Sequence, residues 1–172
     1  MPDPTERVLG LDPSLRGTGY AILERGGRRT TALDFGVIRN PPSLLQSGCL
    51  RAIHEKVREL LAQWSPTAMA VEGVIYVQSF KTAITLGAAR GSAILAAAQS
   101  SVPVFEYAPR RVKQAIAGAG GAQKAQVAFM VRALLKLAET PPPDAADALA
   151  IALTHFQSCD AASARQSVLT RV

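Results

Sequence analysis

Four acidic residues stand where side chains could carry out metal-assisted chemistry. Asp12 closes the apolar run Val8-Leu9-Gly10-Leu11, and Glu72 closes Met69-Ala70-Val71. Asp144 and Asp147 lie three residues apart, just after Pro141-Pro142-Pro143. Carboxylate oxygens are the ligands that hard cations such as Mg²⁺ and Mn²⁺ select. Taken singly, each acid has a plain structural use. Asp12 before Pro13 suits a turn, Glu72 a polar strand end, and Asp144 and Asp147 the first turn of a helix, where the dipole favours negative charge. Gathered in one place they become costly. Two unit charges about 6 Å apart repel by roughly 3 kcal/mol at an effective dielectric near 20. Four ionised carboxylates would then cost on the order of ten kcal/mol, which rivals the stability of a whole domain. Either some of them keep protons or divalent cations fill the cluster. Two such ions would balance the charge, activate a water and stabilise the leaving oxygen of an in-line phosphodiester displacement.

The positive charge lies between these acids in sequence. Residues 73–143 hold Lys81, Arg90, Arg110, Arg111, Lys113, Lys124, Arg132 and Lys136 against Glu106 and Glu139, an excess equal to the +6 of the whole chain. A basic block beside an acidic cluster suits a protein that holds a polyphosphate backbone and presents it to metal ions. Lys124 falls near a helix start, where the dipole disfavours a cation, so a phosphate contact would account for it.

The elements that would position these residues follow from pattern. Residues 8–12, 18–24 and 31–38 read as three strands joined by tight turns, an antiparallel meander. A helix is expected to open at Pro41-Pro42-Ser43, with Leu50, Ile53, Val57, Leu60, Leu61 and Trp64 on its apolar face. Residues 68–72 form a short central strand, 81–99 a helix of small residues and 103–107 a fifth strand. Pro109 starts a short helix carrying Arg110, Arg111 and Lys113. The glycine-rich loop 118–121 precedes a helix with Val127, Met130, Val131 and Leu134 on one face, and the final helix runs from near Asp144 to about Gln157. Residues 160–172 read as a mobile tail, the rest as one domain within 1–172. The order predicts an α/β fold, with a five-stranded mixed sheet flanked by helices on both faces, the ribonuclease H-like arrangement. In it the first and fourth strands are neighbours, which would bring Asp12 beside Glu72.

Other signals are weaker. Cys49 and Cys159 make neither a disulfide framework nor a zinc motif, so a reducing compartment is expected. No stretch is long and apolar enough to span a bilayer, and a cytoplasmic protein follows. The segment Gly118 to Lys124 lacks the Gly before Lys and the Ser/Thr after it that a phosphate loop needs. Gly17-Thr18-Gly19 is similar to the nucleotide loop of the actin and heat-shock ATPases, which need two such domains to enclose ATP. His155 would lie about 16 Å along a helix from Asp144, too far to join the acids, and is expected in the core or at the surface, as is His54.

The chain resembles the RuvC-type Holliday-junction resolvases from Val8 to about Phe156. The matching motifs are Leu9-Gly10-Leu11-Asp12-Pro13 with Thr18-Gly19-Tyr20, Val71-Glu72, Leu86-Gly87 with Ala89-Arg90-Gly91, Val104 to Ala108, Val112-Lys113-Gln114 and Asp144 to Ala150. The resemblance implies a homodimeric crossover junction endodeoxyribonuclease of DNA recombination and repair. Such an enzyme cuts two opposed strands of a four-way junction, leaving 5′-phosphate and 3′-hydroxyl nicks. It would use a Mg²⁺-dependent tetrad, with two ions per site and Mn²⁺ as substitute, falling on Asp12, Glu72, Asp144 and Asp147. Lys113 and Lys124 would hold the DNA, helped by Arg110 and Arg111. The helix 81–99 would belong at the dimer interface, and a branch-migration complex of the RuvA and RuvB type would be a partner. Two departures stand out: Ser14 replaces the usual Gly after Asp-Pro, and Gly73, Val74 and Ile75 replace residues that include Gln and then an aromatic. Tyr76, one place later, is the candidate for the base-stacking role of that aromatic. Two other readings stay open: a junction-binding protein with lost or weak cleavage, and a ribonuclease H-like nuclease acting on another nucleic acid.

Overall fold

The computed structural model describes residues 5–27, 29–74, 79–165 and 171–172. Strands β1 (Glu6–Asp12), β2 (Gly17–Gly26) and β3 (Arg29–Arg39) come first, followed by helix α1 (Gln46–Trp64) and strand β4 (Ala68–Glu72). Helix α2 (Phe80–Gln99), strand β5 (Val104–Tyr107) and helices α3 (Pro109–Ala117), α4 (Lys124–Leu135) and α5 (Pro143–Arg165) complete the order. The sheet runs β3-β2-β1-β4-β5. β1, β2 and β3 pair antiparallel, whereas β4 lies parallel to β1 and β5 parallel to β4. This is the ribonuclease H-like mixed sheet that the element order predicts.

The sheet separates two cores. On one face Leu9, Leu11, Ile22, Met69 and Val71 pack against α1 and α2, through Ile53, Val57, Leu60, Ala89 and Ala93. On the other, Val8, Ala21, Ala70 and Phe105 pack against α3, α4 and α5, through Ile116, Val131, Leu149 and Ile151. Alternate residues of β1 thus serve opposite cores, as strand geometry requires. The low aromatic content explains the reliance on Ala in α2 and α5, which lets helices approach closely.

Two glycines set the depth of α5. A Cβ on Gly10 would run into the Ala148 carbonyl, and one on Gly19 into the Asp144 carbonyl. The backbone of α5 therefore lies directly on β1 and β2, and its first turn is brought to the C-terminal end of β1. The β1–β2 turn is braced by Ser14: the Gly17 N–H donates to its Oγ at 3.1 Å, and Thr18 Oγ1 donates to its carbonyl at 2.6 Å. At this departure from the family pattern, the hydroxyl closes the turn.

Expectations for three helices need correction. Helix α1 begins at Gln46, because residues 41–44 form a turn whose Pro41 and Leu44 carbonyls accept from Arg16 Nη1 at 2.6 and 2.9 Å. Its buried face is Cys49, Ile53, Val57, Leu60 and Leu61, with Leu50 and Trp64 only partly covered. In α4 the buried positions are Val127, Val131 and Leu135, while Leu134 is exposed. Helix α5 continues past Gln157 to Arg165, with Ala162 still buried. Beyond it, the Val172 N–H bonds the Val104 carbonyl of β5 at 3.1 Å. No helix among the described residues is long and apolar enough to cross a membrane.

Candidate active site at the ends of the central strands

Asp12 and Glu72 are the last residues of β1 and β4, adjacent parallel strands in which Leu11 pairs with Val71. Asp144 and Asp147 lie in the first turns of α5, with the Asp144 carboxylate over Gly17 at the start of β2. The four acids are therefore brought to one corner. Burial pushes the Asp12 carboxyl from 3.8 to about 7, and the charges of Glu72, Asp147 and Asp144 add to the rise while Lys124 opposes it. Burial likewise raises Glu72, with Asp147 adding to it and Lys124 and Lys113 pulling the other way. The acids feel one another's charge, yet no three of them bring oxygens within 4.8 Å of each other.

Lys124 stands among them. Its Nζ lies 2.8 Å from Asp147 Oδ2, and this hydrogen bond holds the ammonium above the ordinary lysine range. The acid on α5 thus offsets the unfavourable dipole at the start of α4. Asp147 thus gives Lys124 a partner within the protein itself, beside the phosphate contact expected from the sequence. Lys113, on α3, is half-buried and close enough to bias Glu72.

A cleft of about 320 Å³ opens beside Asp12 and Glu72, with Pro13, Val74, Leu86 and Pro109 as apolar wall and Arg90 and Arg110 as basic rim. Arg111 points elsewhere: it donates to Ser158 Oγ at 3.1 Å and lies over the Tyr107 ring. Tyr76 and Ile75 lie outside the described residues.

One pair carried no role in the sequence reading. Arg90 forms an ion pair with Glu106, and its Nε is buried without a partner among the described residues. The Glu106 carboxylate in turn fills the space beside Gly73, 3.0 Å from where a Cβ would stand. A larger residue after Glu72 would press on this pair, which accounts physically for Gly73. The signal available in sequence was the isolation of Arg90 and Glu106, opposite charges in two otherwise apolar runs.

A ribonuclease H-like sheet with a carboxylate cluster at the ends of its central strands defines a class of metal-assisted phosphodiester enzymes. The comparisons narrow the class. The family model for crossover junction endodeoxyribonuclease RuvC matches residues 8–155. The crossover junction endodeoxyribonuclease RuvC of Akkermansia muciniphila is 54% identical over 154 residues, covering 90% of this chain and 92% of that protein. Its counterpart from Proteus mirabilis is 49% identical over 148 residues, covering 86% and 85%. Among solved structures, T. thermophilus RuvC in complex with Holliday junction substrate superposes with a TM-score of 0.86 at 37% identity, covering 97% of this chain and 99% of that one. The yeast mitochondrial Holliday junction resolvase Ydc2 shares the fold, with a TM-score of 0.63 at 15% identity. The chain belongs to the crossover junction endodeoxyribonuclease RuvC family.

Proposed function

We propose that this protein is a Mg²⁺-dependent endonuclease that resolves four-way DNA junctions by nicking two opposed strands symmetrically, leaving 5′-phosphate and 3′-hydroxyl ends. The observation that carries the reading is the meeting of Asp12 and Glu72, at the ends of adjacent strands, with Asp144 and Asp147 at the start of α5, which together with burial pushes the Asp12 carboxyl up to about 7. Lys124 offsets only part of that negative charge, and the acids gathered there offer carboxylate oxygens, the ligands that suit a hard divalent ion. Asp12, Glu72, Asp144 and Asp147 would hold two such ions, with Mn²⁺ as substitute. When bound, the ions supply a water acidified for attack and neutralise charge on the phosphodiester.

The chain's own residues do the rest. Lys124 gives its ammonium to a DNA phosphate oxygen, exchanging Asp147 for it. Lys113 biases Glu72 towards its ionised, ligating form and contacts the backbone of the same strand. Arg110 sits at the mouth of the cleft as a phosphate contact, while Pro13, Val74 and Leu86 limit water beside the acids. Arg111 contacts junction DNA farther from the acids, and Tyr76 is the candidate for stacking on a junction base.

Two copies act together, paired through α2. Phe80, Ile84 and Leu95 are exposed along one side of this helix, and a Cβ added at Gly87 or Gly91 would meet nothing within 4 Å among the described residues. A symmetric pair fixes the separation of two sites, which paired incision requires. The enzyme works in the cytoplasm as one nuclease domain, in recombination and repair, beside a branch-migration complex of the RuvA and RuvB type. Incubation with a synthetic mobile junction, an RNA–DNA hybrid and a simple flap at equal salt and Mg²⁺ tests the substrate. Paired nicks in the junction alone are expected; preferential cutting of the hybrid or flap would refute the assignment.

A further inference from the structure

We propose a second metal site in this protein, formed by Glu6, His155 and Cys159 and suited to Zn²⁺ or a similar borderline cation. It is separate from the acidic cluster. Glu6 and Asp12 lie at opposite ends of β1, roughly 20 Å apart along the strand, and His155 lies about 16 Å along α5 from Asp144.

The geometry is close to what such an ion needs. His155 and Cys159 are one turn apart on the same side of α5, with His155 Nε2 3.4 Å from Cys159 Sγ. Tetrahedral coordination with Zn–S near 2.3 Å and Zn–N near 2.05 Å sets these two atoms about 3.5 Å apart. Glu6 completes the set, since one ligand atom from each of the three residues lies within 4.8 Å of the others. A fourth position is left to water, as in other three-ligand zinc sites.

The surroundings support ligation. His155 is 2% exposed, and its Nδ1 stands 2.8 Å from the Tyr107 hydroxyl. In the tautomer that donates from Nδ1 to that hydroxyl, the Nε2 lone pair faces Cys159, the arrangement that orients metal-bound histidines. Arg25 occupies Glu6 Oε2 at 2.8 Å and Asp160 Oδ1 at 2.8 Å. Glu6 Oε1 carries no hydrogen bond among the described residues. The local balance is two carboxylates against one guanidinium, before the thiol deprotonates. Cys159 is only partly covered, so an ion has a path in.

Uptake replaces the thiol proton by the metal: the S–H bond breaks, the S–metal bond forms and the proton leaves to solvent. The bound ion would tie the first residue of β1 to the later half of α5. In the metal-free protein the same atoms form a weak thiol–imidazole hydrogen bond.

Co²⁺ is the probe, titrated into the full chain with excess Mg²⁺ present. A near-ultraviolet thiolate-to-cobalt charge-transfer band with intense four-coordinate visible bands is expected, saturating at one ion per chain and displaced by Zn²⁺. The band should survive in Asp12→Asn and vanish in Cys159→Ser, whose junction nicking stays normal. Glu6→Gln and Tyr107→Phe should each weaken binding by about tenfold or more. Zn²⁺ should also slow alkylation of Cys159 in the unaltered protein by about tenfold, a readout that needs no variant. No charge-transfer band in the wild type, a band unchanged in Cys159→Ser, full affinity in Glu6→Gln, or unprotected Cys159 would each overturn the site.

Discussion

Lys124 Nζ lies 2.8 Å from Asp147 Oδ2, so the first residue of α4 and the first turns of α5 are joined at the acidic corner. One ammonium thereby serves the acids while its own side chain stays largely exposed, with 76% of its surface open. An exposed ion pair of this kind contributes little to stability, about 0–1 kcal/mol, so Lys124 is free to exchange Asp147 for a phosphate.

Lys124→Ala should therefore leave the fold intact and weaken the DNA step. Losing one charge-assisted contact, about 1.5–3 kcal/mol, lowers junction nicking roughly 10- to 100-fold. The slope of log affinity against log salt should become shallower by about one. Filter binding across a salt series with Asp12→Asn as background measures this; an unchanged slope would remove Lys124 from the DNA interface.

The raised Asp12 pKa makes a directional prediction about stability without metal. The folded protein keeps a proton on Asp12 up to about 7, whereas the unfolded chain releases it near 3.8. Between those values the native state binds more protons, so stability falls as pH rises, by up to about 4 kcal/mol from this group. Above about pH 7 the loss is complete. Chelator-treated wild type should thus lose stability relative to Asp12→Asn between pH 4 and about 7, and Mg²⁺ should restore it above pH 7. Parallel melting curves that stay level across this range would count against the crowded cluster.

Gly19 carries the Asp144 carbonyl against its α-carbon, with no room for a side chain. Gly19→Ala should force α5 away from β2, costing on the order of 1–3 kcal/mol and displacing Asp144 and Asp147 together. Gly26→Ala, whose Cβ would make only an ordinary 3.6 Å contact with Thr5, is the control. Urea unfolding of the pair reads the difference. Equal midpoints would show that α5 is not seated by Gly19.

Gly91 faces open space on the exposed side of α2. Gly91→Arg should leave the monomer folded, since nothing among the described residues lies within 4 Å of a Cβ placed there. It should shift sedimentation from dimer to monomer and uncouple the two nicks of a junction. A variant that remains dimeric with coupled incision would move the interface off α2.

Much of this site was legible in the sequence because its strongest signals are local. Glu72 ends a five-residue apolar strand and Asp12 an apolar run, and β4 falls at the residues expected, 68–72. Once the first and fourth strands are neighbours, the meeting of Asp12 and Glu72 follows. What escaped depends on partners distant in sequence. The start of α1 is set by Arg16, which takes the Pro41 and Leu44 carbonyls. Which leucine of α4 is buried depends on how that helix docks, and Leu135 rather than Leu134 turns inward. Ala- and Ser-rich residues past Gln157 carry no helix-stopping signal, and α5 runs on to Arg165. The Arg90–Glu106 pair beside Gly73 joins three separate segments, and no spacing along the chain announces it.

The central claim is that the four carboxylates hold the ions that cut junction DNA. It is tested most directly by incubating wild type and Asp12→Asn with a labelled four-way junction in Mg²⁺, following binding and nicking in the same samples. Paired nicks by the wild type are predicted, with Asp12→Asn binding the junction as tightly and leaving it uncut. Nicking by Asp12→Asn at the wild-type rate would contradict the account.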